Sequence, residues 1–473
     1  MTLSTKYDCL VVGAGVTGTA LLYQLARFTD LKRLCLVEQC DSVAQVNSHA
    51  HNNSQTIHCG DLETSYNLEK ARAVRRTGAM VINYAVKLAA RDRDRIIFSM
   101  PKMVLGVGPV ESAYLRRRFE TFKDLFPRMQ LLEHRAIADL EPSVALVDGA
   151  WRPEEIVATG TPDAYCAVDF AALAESFSQA CVRLDRVADR QITQLFSTSV
   201  ASISRDGSDY VLDTNRGLLQ ARTVVVCAGG HSLAMAQQMG LGRDFACLPM
   251  AGSFYFAPEA LNGKVYRVQD PGRLPFAAVH GDHDIKASGK TRFGPTALML
   301  PRLERRNRST GREFFQVLRL DHEMAAALWD LIKAPELRND LLRGLLDEVP
   351  GLNRRFFIKE IRKIVPSLNA ADITYAEGFG GVRPLLIDRS TGRLRMGETK
   401  ITDGDGIIFN MAPSPGGTGC LGSGEADMRT VARRLGAQID EQAFERELLM
   451  GYEDTRVQSV DDEGNPRAFA QAG

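Results

Sequence analysis

Three glycines and one carboxylate are the first residues whose types and spacing could do chemistry. Gly13, Gly15 and Gly18 stand in a Gly-x-Gly-x-x-Gly run, and Glu38 follows it. In a dinucleotide site the first glycine permits a tight turn and the second lets the backbone approach a pyrophosphate. The third lets a helix pack against its strand, and an acid about twenty residues on accepts the ribose hydroxyls. That acid would repel the extra phosphate of NADP, so FAD and NAD remain. The elements that must position these residues are legible. Residues 8–12 are an apolar run of the length of a buried parallel strand, 19–26 read as a helix, and 33–37 form a second buried strand ending on Glu38. The helix start offers N–H groups and a positive dipole end to phosphates.

The bulk properties bound the rest. At 473 residues the chain exceeds one ordinary core, so two domains are expected. With 45% hydrophobic and 25% charged residues the composition is that of a globular protein. Fifty-eight basic and 58 acidic residues cancel, and nothing in the balance calls for nucleic acid. Nine scattered cysteines without a Cys-x-x-Cys pair read as reduced core residues of a cytosolic protein. No basic leader precedes the first strand and no apolar run reaches the ~18 residues of a membrane span. The expected location is cytoplasmic, at most peripheral on the inner face of the membrane.

Further along, 42–60 is a polar loop with three histidines, placed by its position after Glu38 at the cofactor crevice. Helix is expected over 68–88, a hairpin around Pro101 over 95–107, and an amphipathic helix over 112–126 with Arg116, Arg117 and Arg118 on its solvated face. A helix over 169–184 leads to strands at 194–204 and 210–214, and a buried strand over 223–226 ends on Ala228 and Gly229. From residue 250 short strands at 252–256, 265–268, 276–280 and 296–300 indicate an antiparallel sheet. Helices follow at 325–333, 335–348 and 354–365. A last buried strand at 407–411 leads to a second glycine loop, Gly416, Gly417 and Thr418, and a helix over 424–435.

A nicotinamide domain is usually one contiguous block. Here the fingerprint, the glycine-ended strand near 227 and the late glycine loop are separated by a different kind of sheet. That discontinuous plan points to FAD. The fold class is α/β: a two-domain FAD-binding oxidoreductase of the amino-acid-oxidase and glutathione-reductase type, with a Rossmann-like cofactor domain and an antiparallel-sheet substrate domain. The cofactor domain is expected over 1–90, 145–245 and 375–455, the substrate domain over 91–144 and 246–374, and a tail over 456–473. Expected cofactor contacts are Gly13, Gly15, Gly18, Glu38, Gln45, Ser54, Gln55, Thr56, Val200, Ala228, Gly229, Gly416, Gly417 and Thr418.

Several segments together carry a resemblance: Asn53-Ser54-Gln55-Thr56-Ile57-His58, Pro249 to Phe256, Pro275 to Asp282, Gly294-Pro295-Thr296-Ala297, Gly380-Gly381-Val382-Arg383-Pro384 and Asn410 to Gly416. The chain resembles the malate:quinone oxidoreductases over nearly its whole length, especially the shorter form of the epsilon-proteobacteria. A wider likeness reaches L-2-hydroxyglutarate oxidases and flavin glycerol-3-phosphate dehydrogenases. Longer members carry an Asn-Asn-Ala-Gly-Thr-Gly-His loop, and this sequence lacks those glycines before His58. The resemblance implies bound FAD, oxidation of (S)-malate to oxaloacetate and electron delivery to a membrane quinone. The alternative is an L-2-hydroxyglutarate dehydrogenase or oxidase with the same flavin chemistry.

Oxidising a 2-hydroxy dicarboxylate needs a base for the hydroxyl proton and cations for the carboxylates. Of eight histidines, His280 and His58 hold crevice positions and are the candidate bases. Arg383, between a glycine turn and Pro384, is the carboxylate clamp, with His280 and Arg292 as further substrate contacts. No spacing matches a metal site. The basic segments 354–364 and 302–312 are candidate membrane-surface contacts.

Overall fold

The structure is a computed structural model. It describes residues 6–452 except 188, 270–278, 323, 326–328, 330–332, 334–337, 339–352, 396 and 412–415. All of the expected helix at 335–348 but Arg338, and the first residues of the expected 276–280 strand, lie outside the described residues, as does the tail.

The first sheet has eight strands. Its centre runs Ile407–Met411, Gly217–Val226, Lys6–Val12, Arg33–Val37, Gln191–Leu195, all parallel. The period of two decides how it packs. Cys9 and Val11 face a core with Leu21, Leu25, Phe177 and Met428, from helices Val16–Phe28, Phe170–Val187 and Cys420–Leu435. Leu10 and Val12 face the other way, onto Leu233, Leu248 and Leu386. Both faces are therefore buried, which is why these strands read as unbroken apolar runs. The expected 194–204 strand is in fact two. Gln191–Leu195 pairs with Arg33–Val37, and Val200–Asp206 turns away to pair with Asp209–Thr214.

The second sheet also has eight strands, in the order Thr374–Tyr375, Tyr255–Pro258, Lys290–Gly294, His280–His283, Lys264–Arg267, Ile97–Val107, Ile156–Val168, Gln130–Leu132. Its pairs are antiparallel except Lys264–Arg267 with Ile97–Val107. Two expectations are corrected here. The hairpin around Pro101 is one strand preceded by helix Ala90–Ile96. Pro101 is tolerated because it falls where the register against the neighbouring strand shifts, between Met100 and Lys102, so no ladder bond asks for its missing N–H. Ile156–Val168, expected within the cofactor segments, hydrogen-bonds to Ile97–Val107 and Gln130–Leu132 instead. A third sheet of four strands, Leu298–Met299, Phe245–Ala251, Val382–Asp388 and Arg393–Arg395, packs on the first through Leu248 and Leu386 and takes part of the expected 375–455 segment.

Helix Asn353–Ile361 is two-sided, with Arg354, Arg355, Phe356 and Lys359 exposed. Phe357, Ile358 and Ile361 are buried in the core of the second sheet, and Phe357 stacks on Tyr255 at 4.5 Å.

The tightest contact in the first sheet is at the fingerprint. A Cβ on Gly18 would stand 1.9 Å from the carbonyl oxygen of Gly13. Gly18→Ala must push the helix off its strand, and a loss of about 3 kcal/mol is expected, at the upper end of overpacking costs. The midpoint of urea unfolding reads it; an unchanged midpoint would mean that the helix can shift freely.

Candidate active site

A cleft of about 480 Å³ opens at the carboxyl ends of the parallel strands, where an open α/β sheet binds its ligands. It is lined by Gly13, Gly15, Glu38, Gln45, Ser54, Thr56, His58, Val200, Ala228, Gly229, Arg383, Gly416, Gly417 and Thr418, so most of the expected residues converge. The glycines are required by contact. At Gly13, φ is +101° and a Cβ would lie 2.6 Å from the Cys227 carbonyl oxygen; at Gly417 it would lie 2.8 Å from the Phe170 ring. Neither Gly15 nor Gly419, the residues that open helices Val16–Phe28 and Cys420–Leu435, caps its helix with a side chain. Glu38 accepts from Ala14 N–H at 2.6 Å and Cys40 N–H at 2.8 Å, which orients the carboxylate and leaves lone pairs for further donors. A cleft walled by glycines, with the residues before two helix starts in its lining, fits a dinucleotide.

His58 sits where the polar loop meets the late glycine loop. Its N–H donates to Thr418 Oγ1 at 3.2 Å, and Thr418 Oγ1 donates to the Thr56 carbonyl at 3.2 Å. Its ring Nδ1 is hydrogen-bonded to Glu63. Arg383 leaves strand Val382–Asp388 half-buried in the cleft. Two contacts fix its approach. Val382 N–H donates to Asn47 Oδ1 at 3.1 Å, and a Cβ on Gly381 would lie 2.3 Å from the Asn52 carbonyl oxygen.

Four expected residues do not line the cleft. Gly18 lies beneath it, in the packing role described above. Gln55 is buried with φ +53°; its amide donates to the Ala50 carbonyl and accepts from Ile285 N–H. His280 is buried, its ring stacked on Tyr266 at 4.3 Å. Its Nδ1 is 2.8 Å from Asp282 Oδ2, although not with the alignment of a hydrogen bond. Burial lowers the His280 pKa against the pull of Asp282. Arg292 is fully buried, 3.2 Å from Asp284 Oδ2 and over the Phe254 ring at 4.5 Å. The reason is shared. His280–His283 and Lys290–Gly294 lie inside the sheet, so their inward residues meet each other and Lys264 rather than the crevice.

Other residues at the site do not announce themselves in the sequence. Arg118, expected on a solvated face, is buried and donates to the carbonyls of Gly60, Asp61 and Glu63. Its spacing is the available signal: Ser112, Leu115, Arg118 and Phe122 share the buried face of helix Pro109–Phe122. His231, Glu304 and Glu313 also line the cleft. His231 is held by Glu304 through Nε2 at 3.0 Å and by Glu313 through Nδ1 at 2.8 Å. Among the described residues no cluster could hold a metal ion.

This layout, a glycine-cradled cleft on a parallel sheet with a second sheet beside it, defines the class: the fold is that of the flavin-dependent oxidoreductases. It is similar to L-α-glycerophosphate oxidase from Mycoplasma pneumoniae, solved with FAD bound, with a TM-score of 0.58 and 19% identity over 92% of this chain and 96% of that one. Glycine oxidase from Geobacillus kaustophilus matches with a TM-score of 0.60 and 17% identity over 91% of this chain and 96% of that one. The sequence is more specific. The family model of malate:quinone oxidoreductase matches residues 5–449. A probable malate:quinone oxidoreductase from Campylobacter jejuni is 43% identical over 94% of this chain and 99% of its own. The chain belongs to the malate:quinone oxidoreductase family.

The His231 clamp gives a pH dependence. Burial disfavours its imidazolium, but Glu304 and Glu313 override that and raise the pKa from 6.5 to about 9. A raised pKa in the folded state stabilises below the unfolded value, and that stability is lost as pH rises through about 9. The melting temperature is expected to fall more steeply between about pH 7 and 9.5 in the native protein than in His231→Gln. Parallel pH curves would refute the clamp.

Proposed function

We propose that this protein oxidises (S)-malate to oxaloacetate with FAD as its cofactor and passes the electrons to a membrane quinone. The family match over residues 5–449 carries the reading. In it the first sheet and its helices form the cofactor unit, and the second sheet forms the substrate unit. Gly13, Gly15 and Glu38 hold the adenosine end. Gln45, Ser54, Thr56, Val200, Ala228, Gly229, Gly416, Gly417 and Thr418 hold the remainder, with Gly18 and Gln55 as supports from behind. When bound, FAD supplies the acceptor for the hydride that leaves the carbinol carbon.

The chain's own residues do the rest. Arg383 grips one carboxylate through paired N–H donors. His58 takes the hydroxyl proton: it lines the cleft, whereas His280 is stacked behind Tyr266. Arg292 is fully buried beside Asp284, at 3.2 Å, and does not line the cleft, so it is left out of substrate binding.

Quinone is a lipid-phase reactant, and the protein reaches it from the membrane surface. No helix among the described residues is long and apolar enough to cross a bilayer. The surface that supports peripheral contact is helix Thr310–Leu318 rather than Asn353–Ile361. Phe315 is 60% exposed and Leu320 64%, with the exposed Arg312 and Arg319 beside them. In the basic 302–312 segment, Arg305 turns inward to Gly252, Ser253 and Tyr375.

Anaerobic mixing of the flavin-loaded protein with (S)-malate is expected to bleach the flavin. (S)-2-Hydroxyglutarate should do so at least ~10-fold more slowly, the worth of one methylene in a pocket. The opposite order would make the protein a 2-hydroxyglutarate dehydrogenase. Arg383→Lys should raise the malate KM about 10- to 100-fold through loss of a charge-assisted bond, and an unaltered KM would remove the clamp.

A further inference from the structure

We propose that Glu63 is the positioning residue that makes His58 a base, and that Arg118 holds Glu63 in place for that task. The proposal rests on the reading of the cleft as the site of malate oxidation.

Two imidazoles line the cleft among the described residues. Both nitrogens of His231 are taken by carboxylates, so it has no lone pair to offer a substrate. His58 has one nitrogen bonded, and the bond sets its tautomer. With Nδ1–H donated to Glu63, Nε2 carries the lone pair. When the carbinol O–H bond breaks, its proton passes to Nε2, its electron pair becomes the second C=O bond, and the hydride goes to the flavin. His58 is then a cation beside a carboxylate, so Glu63 favours the state in which charge has developed.

Glu63 is buried, its Oε1 is bonded to the His58 ring and its Oε2 has no hydrogen-bond partner, while the Arg118 guanidinium lies close enough to interact with its charge.

The loop that carries Glu63 is pinned from three sides. Arg118 clasps the carbonyls of Gly60, Asp61 and Glu63 at 3.1–3.2 Å, with its guanidinium 3.9 Å from the centre of the Phe122 ring. Lys102 of strand Ile97–Val107 holds Asp61 at 2.6 Å in a buried ion pair. Tyr114 O–H donates to the Thr64 carbonyl at 2.6 Å. Behind His58 itself, a Cβ on Gly78 would lie 2.7 Å from its carbonyl oxygen, so helix Leu68–Val86 closes that side. Among the described residues, the charged or titratable groups on the elements packed about His58 are Glu63, Cys59, Asp61, Lys102, Arg118, Arg383, which lines the same cleft, and Tyr266, whose ring lies 6.3 Å away. Of these, Glu63 is the one bonded to its ring nitrogen.

The test is stopped-flow reduction of the flavin-loaded protein across pH, with KM and flavin content measured alongside. Glu63→Gln keeps the size and removes the charge. It is expected to retain flavin and a malate KM within about 3-fold. Reduction should slow about 100-fold, in the range of general-base contributions, and the acidic limb of its pH profile should move to lower pH. A merely structural residue would not move that limb. Glu63→Asp, which keeps the charge on a shorter arm, should leave the limb in place and slow reduction about 10-fold. If Glu63→Gln loses its flavin, Glu63→Asp decides alone: a native reduction rate overturns the proposal. A native rate and limb in Glu63→Gln overturn it directly. If the native protein is reduced by 2-hydroxyglutarate and not by malate, the substrate reading fails, and the same variants test the dyad with that acid.

Discussion

Everything at the site depends on one close approach. The end of strand Lys6–Val12 turns at Gly13 within contact of the Cys227 carbonyl, and Gly18 then sits on the carbonyl of Gly13. These contacts leave no room for side chains, so the strands at Val12 and Val226 end side by side and helix Val16–Phe28 starts directly above them. The cleft is the space left beyond that junction. Residues more than 350 positions apart, such as Thr56 and Thr418, can then meet across it.

Within this frame the fate of each histidine is set by its neighbours. His231 lies between two carboxylates and is held protonated. His280 is buried, and desolvation favours its neutral form. His58 has one carboxylate on one nitrogen and a cleft in front of it. The same side chain thus stands as a cationic clasp, as a stacking partner and, in the function proposed, as a base, and only the third arrangement faces a ligand site with a nitrogen to spare.

Much of this is legible in the amino-acid order alone. The first sheet reads directly because strands such as Lys6–Val12, Arg33–Val37 and Ile407–Met411 are buried on both faces and become apolar runs bounded by glycine. Ile156–Val168 is hidden because Gly160, Pro162 and Asp163 interrupt it; Pro162 and Asp163 fall in the irregular stretch of its pairing, whereas Gly160 pairs regularly with Met103 and Gln130. The glycine loops and Arg383 stand out because backbone constraint leaves a residue-type signature. His280 does not line the cleft, and its residue type gives no sign of this, since its depth inside a sheet is a property of pairing. The bond between Glu63 and His58 spans a turn of no repeating geometry, so no periodicity announces it.

The buried row on the second sheet has a consequence of another kind. Lys264, Asp282, Asp284 and Arg292 are all buried, two cations and two carboxylates on or beside strands of four or five residues, and Lys264 lies opposite Asp282, which lies opposite Arg292. Short strands hold few side chains with which to choose their alignment. A slip of one residue would turn each charge to the opposite face and leave its partner alone in the interior. The row therefore acts as a key to the register. It discriminates against wrong pairings more than it adds to the stability of the right one, and its members should tolerate exchange only as pairs.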